Sequence, residues 1–496
     1  MKKIFILLFL MAGITLSATA QESKTMYIMK NGVVTYQSVV SEIDSVLFQA
    51  PDVNGGGEAD IIHFYLDIYK DPQSTYDWRG EIRMQNQEQD PPAVIINKAT
   101  RTITYNLPIL PDWFTPDKMT VFPAVIQISE GATVSPNWNE PQDFSKDVVY
   151  TVTAEDGITK KVWTVKAPLY FTKEKWNVDY KEYEAAGSQN PNSIAIVGDY
   201  LNVSRTNFLI NKSDGTMAEG TTLNTTGLAE AQNQAGQPWP FFVTNDNAGN
   251  MVGGTLNAWN GNTFTLFKWT SATADPEILM EFPTVGCGFG RKIQVLGDIN
   301  EKALIISPNM SALAVGGHYL WKVEGGVADV ANPVVAQTDI QNNSNGYQLL
   351  SPLGLEPEGP YYVSSTFIDG AFEPNLRFGE LGAMNEIKGP YSFENSGNGW
   401  GDRGFHFLKL FAFDSKDMIS TLTHSRSVGK YCFAIQERKS NTSLVPVTLA
   451  DFEWSDADSP NGNSTGSFTM EKVGDDVLFY LFPTNKAIIC LQLSKF

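Results

Sequence analysis

Cysteine is scarce here: three residues, Cys287, Cys432 and Cys490, in a chain of 496. So few, odd in number and far apart, cannot form a disulfide framework, and a chain of this size has no need of one. At least one is read as a free buried thiol, with a Cys287–Cys490 or Cys432–Cys490 bridge left open. Histidine is scarce too, with only His63, His318, His406 and His424, scattered, and no CxxC pair, which leaves a structural zinc site without ligands. Charged residues make up only 18%, against roughly 25% in ordinary soluble domains. Also missing are a GxSxG elbow, an HExxH helix, a phosphate-binding loop and the Ser-x-Asp-x-Gly-x-x-Trp box, which "NKSDGTMAEG" only grazes. The common hydrolase, metalloprotease and nucleotide-binding signatures are therefore excluded. No long apolar run follows the first twenty residues, so no transmembrane segment is expected in the mature chain.

Those first twenty residues carry a clear message of their own. Lys2 and Lys3 precede the apolar stretch "IFILLFLMAGITL", and "SATAQ" supplies small residues for cleavage after Ala20. This is the pattern of a signal peptide, residues 1–20, and it predicts an exported protein, periplasmic or at the cell surface. No cysteine stands near the cut, so a lipoprotein anchor is not expected. Loss of Lys2 and Lys3 moves the formal charge from −19 to about −21. So acidic a surface repels phosphate backbones and makes nucleic acid an unsuitable partner. Neutral glycans are compatible with it, and so is Ca²⁺. The acid-and-amide cluster "SDADSPNGN" (455–463) is the place for calcium, although it departs from the EF-hand spacing.

Aromatic, Gly, Asn and Thr residues abound while long helical patterns are absent, which predicts an all-β protein. Residues 21–57 hold a short β segment, "TMYIMKNGVVTYQSVV", and the linker "DVNGGGEAD". Residues 58–167 read as an Ig-like β-sandwich. Its clearest part is a hairpin in which Val148, Tyr150, Val152 and Ala154 share one face, Asp156-Gly157 turns the chain, and Ile158–Val165 returns. The cysteines and core tryptophan of an antibody domain are not seen in their usual arrangement.

Residues 168–496 repeat loosely. Strand–turn–strand sets begin near 193, 241, 292, 347, 405 and 468, each followed by a third strand such as "TFTLFKWT" or "AIICLQL". Spacings of 48 to 63 residues predict a β-propeller of six blades, with seven as the numerical alternative. The last blade lacks an outer strand, because the chain ends soon after "AIICLQL". The segment "LYFTKEKWNVDY" (169–180) is predicted to supply it and so remove two open sheet edges.

The wording "ISEGATVSP" with "YTVTAEDG" (within 128–166) resembles the Ig-like module of exported Bacteroidetes proteins, and "MYIMKNG" with "VSEIDSVLF" resembles their N-terminal segment. The C-terminal part is similar to uncharacterised propeller-like domains that follow such modules. Some relatives act as glycan-binding proteins in polysaccharide-utilisation systems. The resemblance thus implies a glycan or cell-surface glycoconjugate as ligand and an outer-membrane protein as a further partner. Relatives often carry a lipoprotein cysteine, which this chain lacks.

Candidate site residues fall in the loops that link one blade to the next. These loops contain Trp239, then Phe289 with Arg291, then Tyr347, then Trp400 with Asp402 and Arg403, then Trp454. An aromatic recurs about once per blade among Asn, Gln, Gly and Ser, a composition suited to stacking on sugar C–H faces and bonding sugar hydroxyls. The competing reading is that these rings wedge between sheets as packing. Catalysis would need two carboxylates about 5–10 Å apart. Asp402 and Asp246 are the acids a hydrolase or lyase reading would use, but neither lies in a signature. The leading expectation is a non-catalytic glycan-binding protein without cofactor. The alternatives are a glycoside hydrolase or lyase, and a structural or protein-interaction propeller.

Overall fold

The computed structural model describes residues 25–30, 33–39, 57–66, 94–105, 107, 109–121, 124–138, 140–186, 191–228, 239–257, 263–309, 317–337, 349–365, 375–380, 383–388, 402–425, 430–441, 443–448, 451–453, 466–484 and 486–496. Among them regular structure is β-strand, apart from two short 3-10 segments, Pro116–Val121 and Tyr180–Ala186. None of the described helices is long and apolar enough to cross a membrane. The chain divides into two compact units, Met1–Gly56 and Gly57–Phe496. In the first, Thr25–Lys30 pairs antiparallel with Val33–Val39, the hairpin expected around "KNG".

The second unit opens with a two-sheet sandwich. One sheet runs Val94–Asn97, Thr102–Tyr105, Lys160–Val165, Val148–Thr153, Thr133–Ser135; the other pairs Ile61–Leu66 with Ala124–Ile128. The alternation read from the sequence is the cause: Val148, Tyr150 and Val152 are buried while Val149 is exposed. Asp156 builds the turn between Val148–Thr153 and Lys160–Val165, accepting the backbone N–H of Ile158 and Thr159 at 2.8 and 2.7 Å. The core contains a tryptophan that the sequence reading did not single out. Trp163 is fully buried and donates its indole N–H to the Ala59 carbonyl at 3.1 Å.

Six antiparallel sheets of four or five strands follow in chain order, in the manner of a β-propeller. Their first strands are Ile194–Val197, Phe242–Asn245, Gln294–Gly297, Leu350–Pro352, Asp402–Phe413 and Ser467–Val473. These inner strands lie side by side, one beside two, two beside three, four beside five, five beside six and six beside one. A hydrogen bond from Gln294 Nε2 to Ser351 Oγ, 3.1 Å, joins three to four. Sheets packed on both faces need apolar residues on both, so Ile194–Val197 is buried throughout rather than alternating. Turns are tight: Val473 pairs with Asp476, and Gly474 between them takes φ +62°, a conformation that favours glycine.

The ring closes as the sequence predicts. Tyr170–Asp179 pairs antiparallel with Ala487–Lys495, so the strand before the first sheet becomes the outer strand of the last. Ile109–Pro111 of the sandwich then adds in parallel to Tyr170–Asp179, making one sheet continuous between the two parts. Phe171 fixes this joint, with ring centroids 5.8 Å from both Phe114 and Phe496.

Candidate functional site

Every inner strand leads from a linker loop to a hairpin turn, so the two ends of the ring present different residues. Of the site residues expected from sequence, Trp239 and Arg291 lie in described linker segments that precede the inner strands of sheets two and three. Both are half-buried. Asp402 and Arg403 open the inner strand of sheet five, Asp402 pairing with Ser425, and their side chains lie outside the described residues. Tyr347, Trp400, Trp454 and the 455–463 cluster also lie outside the described residues. Phe289, from the same loop as Arg291, is fully buried and serves packing. Its ring centroid stands 4.9 Å from Tyr319, 5.4 Å from Phe264 and 5.4 Å from Trp321, wedged between sheets two and three. The recurrent aromatic therefore has a structural use in at least this linker, because facing sheets leave a gap that a large ring fills.

At the hairpin-turn end the structure forms a cavity of about 920 Å³, within the range typical of ligand pockets. All six sheets contribute, from Gly198, the turn Asp246–Gly249, Gln294–Gly297, Ser351 with Leu353–Leu355, Phe407–Ala412, and Met470–Lys472. The axis below is filled. Phe407 meets Phe242 at 6.4 Å and Phe468 at 5.3 Å, three rings from sheets two, five and six.

Polar side chains tie the sheets together across the axis. Asn245 is buried, accepts the Ile196 N–H at 2.7 Å and the Thr469 hydroxyl at 2.8 Å, and donates to the Ile196 and Gly249 carbonyls at 2.8 and 3.1 Å. Gln294 donates to both Ser351 Oγ and the Leu408 carbonyl, the latter at 3.2 Å. Two lysines cross as well. Lys292, only 2% exposed, reaches the Gly466 carbonyl at 3.3 Å, and burial pushes its pKa down to about 7. Lys409 lines the cavity and donates to the Asn245 carbonyl at 3.1 Å. Burial lowers its pKa to about 8, with the nearby charge of Asp246 acting in the opposite direction.

The acids of the cavity are already engaged. Asp246 accepts the N–H groups of Ala248, Asn250 and Ile299 at 2.8–2.9 Å, and the Asn250 amide at 2.7 Å, so its carboxylate organises the turns of sheets two and three. Glu471 binds Lys212 at 2.8 Å and the Tyr480 hydroxyl at 2.8 Å, and Asp417 pairs with Arg438. Among the described residues no cluster of three or more His, Cys, Asp or Glu could hold a metal. Cys287 and Cys490 are free buried thiols, so neither bridge kept open from the sequence forms.

Comparison with known proteins adds two matches. Residues 86–167 match the family model "SGBP, N-terminal", and residues 185–402 match a domain of unknown function, DUF8500. Curated protein sequences offer no match. Among solved structures, a DUF4623 family protein from Bacteroides eggerthii is similar at 14% identity over 88% of this chain and 98% of its own, with a TM-score of 0.47. An α-L-arabinanase from Penicillium chrysogenum, complexed with arabinobiose, has 8% identity over 62% of this chain and 93% of its own, with a TM-score of 0.38. A GH43_1 enzyme from Xanthomonas citri has 10% identity over 63% and 91%, with a TM-score of 0.29. At these scores the fold rests on the strand order and closure described above.

Neither the cavity nor its lysine was among the residues expected from sequence. One signal was present: in "FHFLKLFAF" Lys409 alternates with Phe407, Phe411 and Phe413, a lone cation on an aromatic strand face.

Proposed function

We propose that the chain is an exported, non-catalytic glycan-binding protein. In this reading residues 1–20 are a cleaved signal peptide, residues 58–167 an Ig-like spacer or docking module, and residues 168–496 a six-bladed propeller that holds the ligand. The protein works in the periplasm or at the cell surface, alongside an outer-membrane partner. The match of residues 86–167 to the SGBP N-terminal model is the observation that carries this reading, since that name denotes a starch- or glycan-binding family. Engagement of Asp246, Asp417 and Glu471 by partners of their own weighs against a hydrolytic carboxylate pair in the cavity. The ligand-reading residues of this proposal are those expected from sequence: Trp239, Arg291, Tyr347, Trp400, Asp402, Arg403 and Trp454.

A screen of full-length mature protein against a glycan array, followed by calorimetry, tests it. The double variant Trp239→Ala/Trp400→Ala should weaken the best ligand about tenfold or more, as expected for two stacked rings at about 0.5–1.5 kcal/mol each. No binding to any glycan, or turnover of a polysaccharide abolished by Asp402→Asn, would remove the proposal.

A further inference from the structure

The floor of the cavity at the hairpin-turn end carries hydrogen-bonding groups that the fold leaves unused. Thr244, Gln294 and Ser351 stand on the inner strands of sheets two, three and four, line the cavity, and are only 2%, 6% and 3% exposed. Among the described residues the Thr244 hydroxyl makes no hydrogen bond. The Ser351 hydroxyl accepts from Gln294 Nε2 at 3.1 Å and has no described acceptor for its own proton. Gln294 uses its amide N–H groups on Ser351 and the Leu408 carbonyl, and no described residue donates to its Oε1. Side chains so deeply buried normally have partners for their polar atoms. The floor thus offers two hydroxyl protons and a carbonyl oxygen, donors and acceptor together. A carboxylate only accepts and an ammonium only donates, so the complementary group is a hydroxyl, which does both.

The charges around this floor balance. The lining holds Asp246, Asp417 and Glu471 with Lys409, Arg438 and Lys472, three of each sign. Asp417 pairs with Arg438, Glu471 pairs with Lys212, and Asp246 receives four hydrogen bonds, so an ionic ligand finds no counter-charge in excess. Behind the floor the axis is closed by the rings of Phe242, Phe407 and Phe468, whereas Asn247, Gly354 and Lys472 are exposed at the mouth. A ligand therefore enters from one side, which admits the end of a chain and not its middle.

We infer that this cavity binds the terminal unit of a neutral saccharide, its hydroxyls bonded to Thr244, Ser351 and Gln294 Oε1. That the ligand is a sugar rests on the glycan-binding reading above. That it is neutral, rich in hydroxyls and held by its end rests on the floor, the balanced wall and the closed axis. Leu353, Leu355, Phe411 and Met470 supply apolar surface for the C–H groups of the ring. Trp239 is not among the lining residues, so the two sites can be tested separately.

The experiment is calorimetry on full-length mature protein, wild type and Trp239→Ala/Trp400→Ala, the latter reading the cavity alone. The probes are the neutral trimers of glucose, galactose, mannose, xylose and arabinose, with the galacturonic acid trimer as charged control. At least one neutral trimer should bind the double variant, about tenfold or more tightly than the charged trimer. The matching polysaccharide should take up one protein per chain rather than many. Thr244→Val exchanges an unpartnered hydroxyl for a methyl and should weaken this binding about threefold or more at unchanged Tm. A side chain at the exposed Gly354 would meet no neighbour, so Gly354→Tyr narrows the mouth without disturbing the core and should weaken binding several-fold. Should the tryptophan variant not fold, the cavity is read in the wild-type background as the site that these two substitutions weaken. Neutral trimers bound by the wild type yet indifferent to Thr244→Val and Gly354→Tyr, or lost altogether in a folded tryptophan variant, would overturn this inference and leave the proposed function standing. Many proteins per polysaccharide chain, or a charged trimer bound as well as the neutral ones, would overturn it too. Wild type binding none of the trimers would mean that water alone occupies the floor, while the glycan array still decides the proposed function.

Discussion

Single residues carry the chemistry of the propeller axis, and the two lysines on it behave unlike surface lysines. Lys292 has a folded pKa near 7, against roughly 10.4 in an unfolded chain, because burial penalises the ammonium. Between those values the unfolded chain binds more protons, so stability rises with pH across the interval. Lys409 contributes in the same sense above about pH 8. Replacing Lys292 by Met removes its share of the effect. The Tm difference, Lys292→Met minus wild type, should therefore be most positive near pH 6 and shrink toward pH 9.5. A difference independent of pH in thermal melts would contradict this assignment. Cys287 and Cys490 take no part in such switching. Burial pushes the Cys490 thiol up to about 12 and raises that of Cys287 too, which keeps both protonated and unreactive at neutral pH.

At the scale of elements, the inner strands were legible because their turns and spacing repeat, whereas their partners across the ring were not. Hydrophobic runs such as "SIAIVGDYLNV" show that a strand is buried on both faces. They do not show that Asn245 will bond Ile196 of the neighbouring sheet, a contact between residues 49 apart in sequence. The closing strand is the exception. A last repeat one strand short, and an unassigned strand pattern at 169–180, jointly required a pairing that the structure contains. Ala487–Lys495 holds the middle of that sheet, between Asp476–Phe482 and Tyr170–Asp179. Deleting residues 487–496 would open two edges and uncover Ile488, Ile489 and Leu491, all buried. Such a truncation should lose its cooperative thermal transition by circular dichroism and aggregate. A sigmoidal melt within a few degrees of the full chain would show that closure matters less than argued here.

For the whole molecule, the decisive feature is the joint between sandwich and propeller. Ile109–Pro111 adding to Tyr170–Asp179 makes the backbone continuous across it, and Phe114, Phe171 and Phe496 pack over it. The lysines that meet Asp112 there, Lys173 and Lys175, face a half-exposed carboxylate and add little. Apolar packing of that kind costs about 3–5 kcal/mol to lose when a buried Phe becomes Ala. Scanning calorimetry should accordingly show one transition for sandwich and propeller together, and Phe171→Ala should divide it into two. A wild-type scan with two resolved transitions would mean that the two parts fold independently.

The sequence by itself determined the local and periodic properties: an all-β chain, an acidic surface, alternation in Val148–Thr153, repeats spaced 48 to 63 residues apart, and a missing outer strand. These depend on neighbours along the chain and on period, which a linear reading can count. Only the tertiary structure decided that Phe289 is packing, that Trp163 is core, that Asp246 organises turns, and that a cavity opens at the hairpin-turn end over Lys409. Those outcomes depend on which side chains meet across the ring, where partners come from six different sheets and no spacing along the chain records their distance.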